Sequence, residues 1–292
     1  MALTTAMLWG VLPIALKYTL TGMDAYTISW WRFAVSMLGL GAFLAWRGQL
    51  PSLRDAGGIA VALLAVAMFA LVGNYVLYLI ALDHTTPSVA QVVIQLAPLL
   101  LILGGVFVFR ERFDPRQWIG FGVLVAGLLL FFNERLPLLL VPTEGLGLGV
   151  ILMVAAAVSW ALYGLAQKRL LDHFTAPQVF LVLYLGATLL LLPASTPTVV
   201  RELDGMQLGM LAFCCLNTLG AYGAFGEALH HWDVSRVSAV ISTAPLFTLL
   251  SMWLVEWSGL GLVAPEGLNA LSVVGALGVV TGSMITALAA RT

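Results

Sequence analysis

The sequence predicts an all-α integral membrane protein, with ten transmembrane helices in two inverted five-helix repeats around a central cavity. Three observations lead to this fold class. Of the 292 residues, 61% are hydrophobic and only 9% are charged, and the mean hydropathy is +1.02. The apolar residues come in stretches of about 20, the length that crosses a bilayer. Segments of the first half recur in the second half, as in many transporters.

The composition excludes several other classes. Soluble domains carry roughly a quarter charged residues, so an aqueous globular fold is excluded. The net charge of −1 argues against a nucleic-acid partner, which would need clustered basic residues. Adjacent Cys214 and Cys215 are expected to be ordinary helix residues, since neighbours are poorly placed for a disulfide. The sequence carries no P-loop, HExxH or nucleophile-elbow motif, so we expect no cofactor, no metal and no enzymatic activity.

Ten apolar stretches define the expected spans, and their connections are short and carry charges, proline or glycine. The first stretch lacks a basic n-region, so we expect a retained span rather than a cleaved signal peptide. The spans cover about residues 3–20, 25–46, 57–82, 88–109, 115–133, 145–168, 177–194, 206–230, 235–256 and 267–289.

Basic residues alternate between the two sides of the membrane in this arrangement. The positive-inside rule places the larger set in the cytoplasm, together with both termini. That set comprises Arg47, Arg54, Arg110, Arg112, Arg116, Lys168, Arg169, Arg236 and Arg291, and the opposite side holds Lys17, Arg135 and Arg201.

Two pairs of segments reveal the internal repeat. WGVLPIALK (Trp9–Lys17) resembles WALYGLAQK (Trp160–Lys168), and the segment Ala81–Leu99 resembles Ala228–Leu246. The repeats are expected at 1–137 and 142–292, with five spans each. Because five is odd, the second repeat enters the membrane in the opposite orientation.

A polar stripe in span four is the first candidate binding feature. Ser88, Gln91 and Gln95 share one helical face, at i, i+3 and i+7. A shift of 147 residues leads to an equivalent serine stripe in span nine, consisting of Ser235, Ser238 and Ser242. We expect Gln91, Gln95, Ser238 and Ser242 to line the cavity and bind substrate. The alternative is that these side chains only hold helices together.

Aromatic residues inside the spans form the second candidate feature. Asn74 and Tyr78 share a patch in span three, Trp160 and Tyr163 lie one turn apart in span six, and Trp9 is the repeat counterpart of Trp160. We expect these five residues to bind substrate, since aromatic faces suit apolar or cationic groups. The alternative is the aromatic belt at the membrane interface, which fits tryptophans at span ends better.

Charged residues and prolines within the spans are candidates for coupling or gating. Charges in a bilayer are functional suspects, which applies to Glu227 and Lys17. As an alternative, Glu227 forms a salt bridge at a helix end. Lys17 and Arg32 lie near the outer surface, where long side chains snorkel, and we favour that interpretation for both. Pro98 and Pro245 are expected to be hinges, with simple kinks as the alternative.

Small residues spaced four apart predict two sites of close helix packing. Gly278 and Gly282 form such a pair in span ten, and Gly122 and Ala126 form one in span five. Close backbone approach is the usual role of this pattern in membranes.

At this point the motifs resemble those of the EamA-type drug/metabolite transporter superfamily. The likeness lies in Trp9-Gly10 followed by Lys17, in Arg32 of span two, in Pro98 and Pro245 with their flanking apolar residues, and in FVFRER at the end of span four. It covers both halves and is strongest to bacterial inner-membrane exporters of aromatic and other amino acids. The resemblance implies alternating access around a central cavity.

These observations together predict a secondary transporter in the bacterial inner membrane, with the lipid bilayer and a small solute as its partners. Amino acids, aromatic or neutral, are the expected substrates, and export is the expected direction. The alternatives are a nucleotide-sugar or other metabolite carrier of the same superfamily, which would require deep basic residues, and an intramembrane enzyme, which would require paired acid–base groups. The sequence predicts no particular oligomeric state.

Overall fold

The computed structural model describes residues 1–52, 57–109, 114–134, 145–231, 237, 240–259 and 261–289. Within these ranges, the side chains of residues 102, 105, 106, 109, 226, 227 and 229–231 are not described. The described chain is helical throughout and contains no β-strand in these ranges.

The helices follow one another with short connections. They are α1 (Ala2–Thr19), α2 (Ala25–Trp46), α3 (Gly58–His84), α4 (Pro87–Val93), α5 (Leu96–Phe109), α6 (Pro115–Phe131), α7 (Gly145–Leu170), α8 (Ala176–Leu191), α9 (Gly205–His231), α10 (Ala244–Ser258) and α11 (Ala270–Ala289). Two short 3₁₀ turns, Leu192–Ala194 and Pro197–Arg201, connect α8 to α9.

Among the described residues, six helical segments are long and apolar enough to cross a membrane. They are Ala25–Trp46, Gly58–His84, Gly145–Leu170, Ala176–Ala194, Gly205–Phe225 and Ala270–Ala289. Pro87–Leu101 and Pro115–Phe131 are shorter apolar segments. The predicted all-α membrane architecture is therefore confirmed, while the number of ten spans and the inversion of the repeat stay predictions.

The predicted fourth span is not one continuous helix. A turn at Ile94–Gln95 separates α4 from α5, and Ala97 N–H donates to the carbonyl of Ile94 at 2.9 Å. Pro98 is the physical reason, because it has no N–H to donate to Ile94, four residues earlier. Pro98 itself lies in the first turn of α5, where proline is tolerated, so the break precedes it by about one turn.

The predicted ninth span breaks at the equivalent place. Residues 240 and 241 are helical, Ser242 and Thr243 form a turn, and α10 then begins with Pro245 in its first turn. Proline at 245 likewise cannot donate to the carbonyl of Ile241. The two breaks, at 94–95 and 242–243, thus lie within a residue of the 147-residue repeat spacing.

Helices α6 and α11 pack with their backbones close together. A Cβ added to Gly275 would lie 2.2 Å from the backbone nitrogen of Phe131, and one added to Gly282 would lie 2.3 Å from that of Leu124. A Cβ added to Gly278 would lie 3.1 Å from the Cα of Gly127. Close packing predicted for Gly278 and Gly282 is therefore confirmed.

The prediction for Gly122 and Ala126 in the same pair of helices was wrong. Both residues are exposed on the outer surface of α6, and a Cβ on Gly122 would have no atom within 4 Å. Gly120 and Gly127 instead face α11, where their added Cβ atoms would meet its backbone at 2.6 and 2.5 Å. Small residues spaced four apart indicate that a helix can pack closely against another, but the tertiary fold determines which face meets a neighbouring helix.

Extensive packing joins the two halves of the chain. The main helix pairs are α6 with α11, α3 with α7, α1 with α9, and α2 with α8. Each pair takes one helix from the first half and one from the second. Side chains also link the halves, since Asn133 and Asn269 exchange amide hydrogen bonds of 3.2 and 3.0 Å.

Candidate functional site

A cavity of about 170 Å³ lies between the two halves of the chain. Its walls come from α1, α2, α3, α7 and α9, and from both broken helices. The lining residues are Trp9, Leu12, Leu16, Arg32, Asn74, Tyr75, Tyr78, Gln91, Ile94, Gln95, Ala97, Pro98, Trp160, Tyr222, Phe225, Ile241, Ser242 and Ala244. This volume is below the range of about 300–1,000 Å³ that drug-sized ligands occupy, so the cavity suits a small solute.

The polar stripes of the sequence meet at the helix breaks. Gln95 lies in the turn between α4 and α5, and its amide Nε2 donates to the carbonyl of Ser242 at 3.5 Å. The hydroxyl of Ser242 pairs with that of Ser283 at 2.9 Å. Gln95 and Ser242 are counterparts in the repeat, and the structure brings them into contact at the wall of the cavity.

Gln91 occupies the same wall one turn earlier on α4. Its side chain is buried, yet its amide makes no hydrogen bond within the described part of the chain. Neither amide atom belongs to the fully enclosed unpaired atoms, so the amide opens onto the cavity. An unpaired carboxamide facing a cavity is suited to a polar ligand group.

Ser88, the first member of the stripe, does not reach the cavity. Its hydroxyl is enclosed and has no partner among the described residues. Its backbone N–H donates to a carboxylate oxygen of Glu266 at 3.0 Å, which ties the start of α4 to the connection before α11. Ser238 and Ser235 lie outside the described residues.

Aromatic rings form a large part of the cavity wall. Trp9 packs edge to face against Tyr222, with the ring centroids 5.5 Å apart, and lies 5.9 Å from Phe225. Trp160 and Tyr78 contribute further faces from α7 and α3. Trp9, Trp160 and Tyr78 therefore line the cavity, as predicted.

Asn74 both lines the cavity and links two helices. Its amide Nδ2 donates to the carbonyl of Ala156 on α7 at 2.9 Å. Asn74 therefore lines the cavity, as predicted, and also joins α3 to α7.

Tyr163 was predicted to line the cavity, and the structure places it elsewhere. The side chain is 3% exposed and packs near Phe180, at a centroid distance of 6.5 Å, in a cluster that includes Tyr184. Trp160 and Tyr163 are one turn apart on α7, but only Trp160 reaches the cavity. A three-residue step rotates the side chain by about 60° around the helix, enough to move it behind the wall.

Arg32 is the residue that sequence reasoning most clearly misassigned. We interpreted it as snorkelling to the surface, whereas its side chain is 5% exposed and lines the cavity. Its Nε donates to the hydroxyl of Thr218 at 3.1 Å, and its guanidinium lies 4.3 Å from the ring centre of Tyr75. The signal was present in the sequence, because Ser29 and Ser36 place polar residues on the same face of α2, which faces inward.

The residues predicted to act in coupling or gating do not lie together in the structure. Lys17 lies away from the cavity, and its ammonium donates to the carbonyls of Leu82 and Asp83 at 2.8 and 2.7 Å, where it caps α3. Pro98 lines the cavity, while Pro245 is buried in the first turn of α10. The side chain of Glu227 lies outside the described residues.

Comparisons with known proteins agree with this geometry. The model of the EamA-like transporter family matches residues 1–133 and 147–288. A solved crystal structure shares the fold with a TM-score of 0.63, at 20% sequence identity, over 99% of this chain and 96% of the other chain.

Curated relatives extend along the whole chain. A transporter of Haemophilus influenzae is 41% identical over 98% of this chain and 93% of its own length. The inner membrane transporter YhbE of Escherichia coli K12 is 40% identical over 100% of this chain and 91% of its own. A probable amino-acid metabolite efflux pump of the same organism is 24% identical over 100% of this chain and 95% of its own. The chain therefore belongs to the EamA-like transporter family and is a membrane transporter.

Proposed function

We propose that this transporter exports small organic solutes across the bacterial inner membrane, with aromatic and neutral amino acids as the main substrates. The observation that carries the proposal is the cavity between the two halves, whose wall combines aromatic rings with the unpaired amide of Gln91. An amino acid offers complementary groups, an apolar or aromatic side chain and two polar groups. The efflux pump relative, at 24% identity, supports the same substrate class.

The proposed architecture is ten spans in two inverted repeats, at 1–137 and 142–292. Two observations support it. The family model matches the chain twice, once in each half. The helix pairing is that of a pseudo-twofold axis, because α1 packs on α9 while their repeat counterparts, α7 and α3, also pack together.

We propose that both termini lie in the cytoplasm. Hydrogen bonds between connections support this orientation. The side chain of Gln178 donates to the carbonyl of Gln49, so the connections bearing Arg47 and Lys168–Arg169 lie at one end of the molecule. Gln207 donates to Thr21 at the other end, where basic residues are fewer.

Transport would proceed by alternating access around the cavity. The breaks at 94–95 and 242–243 leave the helix segments joined by turns, and such discontinuous helices flank the substrate site of many transporters. The hydrogen bond from Ser88 to Glu266 links the two halves near the start of α4. Breaking that contact while the other end closes would expose the cavity alternately to each side.

The alternatives have weaker support. A nucleotide-sugar or other phosphate-bearing solute needs several deep cations, and Arg32 is the one basic residue among the described lining residues. An intramembrane enzyme needs paired acid–base groups at depth, and the described lining contains no carboxylate or histidine. The relatives are described as transporters or pumps, which agrees with a non-enzymatic role.

Replacing Gln91 with leucine tests the cavity as a binding site. We expect transport in proteoliposomes to fall by about threefold to tenfold, because the substrate loses a hydrogen-bonding partner. Folding should be unaffected, since Gln91 makes no hydrogen bond to the described protein. The readout is the initial rate of counterflow with a labelled aromatic amino acid.

Ser88→Ala is the matched control for this experiment. It also removes a buried polar group from α4, one turn away, but Ser88 does not line the cavity. Wild-type transport in Ser88→Ala is expected. Equal rates for Gln91→Leu, Ser88→Ala and wild type would contradict the assignment of Gln91 to the substrate site.

A further inference from the structure

We propose that Arg32 is the anion-binding group of the cavity and that the transporter therefore recognises solutes through a carboxylate. This inference rests on the proposed function, because it takes the cavity to be the substrate site. It adds a requirement that the proposed function does not contain, namely that the carboxylate of the solute is necessary for binding.

The guanidinium of Arg32 is held in a fixed orientation. Its Nε donates to the hydroxyl of Thr218, and that hydroxyl donates in turn to the carbonyl of Cys214 on the same helix, at 3.0 Å. The ring of Tyr75 lies 4.3 Å from the guanidinium carbon and supports it by a cation–π contact. These contacts involve the Nε atom and one face of the guanidinium. Neither Nη group takes part in them.

Both Nη groups of Arg32 are directed at the cavity. They make no hydrogen bond to any described residue, and they are not among the enclosed unpaired atoms. Because the side chain is 5% exposed and lines the cavity, the accessible surface of the two Nη groups faces the cavity. Two parallel Nη donors match the two oxygens of a carboxylate.

The positive charge of Arg32 has no acidic partner within the described part of the chain. Burying a guanidinium without a counter-ion is costly, so a structural arginine at this depth would normally be paired. Glu227, whose side chain is not described, lies nine residues after Thr218 on α9, about 13 Å further along the helix. A bound carboxylate would supply the missing negative charge.

The surroundings of Arg32 favour a carboxylate over a phosphate. A phosphate monoester carries about −1.5 to −2 charges and needs further donors and cations. The described lining offers a single cation surrounded by aromatic and aliphatic side chains. One carboxylate attached to an apolar body matches this combination in both charge and polarity.

Matched pairs of acids and amides provide the test. Binding to the purified transporter would be measured by titration calorimetry for phenylalanine and phenylalaninamide, and for phenylacetate and phenylacetamide, with phenyl phosphate as a fifth probe. We expect each acid to bind at least about tenfold more tightly than its amide, because the charge-assisted hydrogen bonds to Arg32 are lost in the amide. Arg32→Gln should abolish this preference, and Thr218→Val should weaken it.

Arg47→Gln is the matched control variant. Arg47 follows the same helix α2 but is exposed at its end, so its removal should leave the preference for acids intact. Where Arg32→Gln fails to fold, Arg32→Lys and the acid–amide comparison in the wild type test the same point. Equal binding of acids and amides to the wild type would overturn the inference, as would tighter binding of phenyl phosphate than of phenylacetate.

The outcomes separate this inference from the proposed function. If phenylacetate binds through Arg32 while no amino acid binds or is transported, the carboxylate site stands and the proposal of amino-acid export fails. If phenylalanine is transported and its amide binds equally well, the export proposal stands and the role of Arg32 is overturned.

Discussion

Replacing Gly282 with leucine is expected to leave little correctly folded transporter. A Cβ at this position would lie 2.3 Å from the backbone nitrogen of Leu124 and 2.6 Å from the carbonyl oxygen of Gly120. Backbone atoms of a helix cannot move aside as a side-chain end can, so α6 and α11 must separate. Overpacking typically costs about 1–3 kcal/mol, and a clash with backbone belongs at or above the upper end.

The measurement is the fraction of monodisperse protein in detergent after size-exclusion chromatography, together with its melting temperature. Gly122→Leu is the control, because Gly122 lies on the outer face of α6 with no atom within 4 Å of an added Cβ. Gly122→Leu should behave like the wild type. A stable, monodisperse Gly282→Leu variant would show that α6 and α11 do not pack as described.

Filling the cavity is expected to abolish most transport without unfolding the protein. Leu12 lines the cavity from α1, and Leu12→Trp puts an indole into a space of about 170 Å³. The change keeps the wall apolar, so it alters the available volume rather than the polarity. Forcing a substrate against the indole should cost about 1–3 kcal/mol, which reduces counterflow by about fivefold to more than a hundredfold.

Val11→Trp is the matched control on the adjacent residue. Val11 is 37% exposed on the outside of α1, so the same indole would face away from the cavity. We expect wild-type transport from Val11→Trp and normal folding of both variants. If Leu12→Trp is folded and transports at the wild-type rate, the substrate does not pass through this cavity.

Much of the fold follows from the spacing of apolar residues. The span expected at 25–46 coincides with α2, and the one expected at 57–82 differs from α3 by two residues at most at either end. Hydropathy does not detect the interruptions at 94–95 and 242–243, because the few turn residues are flanked on both sides by apolar ones. Those breaks follow from the prolines one turn later, which have no N–H to donate to the carbonyl four residues earlier.

The candidate site was partly predictable. Gln91 and Gln95 were identified because two glutamines on one face of a membrane helix need polar surroundings, and both line the cavity. Arg32 was misassigned because distance along the helix was used without considering the face. It lies seven residues into α2, about 10 Å from the helix start, and a long side chain reaches a surface from there only if it points that way.

Tyr163 and Tyr222 show what the sequence pattern of a single helix does not determine. Both are aromatic and lie well inside a helix, and only the packing of α7, α8 and α9 decides which of them faces the cavity. Phe180 of α8 lies between them, 6.5 Å from Tyr163 and 5.2 Å from Tyr222. A helical pattern gives the direction of a side chain relative to its own helix, but not the position of neighbouring helices.

The most direct test of whether the space between the halves is a transport pathway is counterflow into proteoliposomes. Labelled phenylalanine and neutral amino acids would be measured with and without a pH gradient. The expected result is saturable accumulation of at least one of these amino acids by the wild type, and its loss in Leu12→Trp but not in Val11→Trp. The contrary result would be that folded, monodisperse protein accumulates none of these amino acids beyond the level of protein-free liposomes. That result would contradict amino-acid transport.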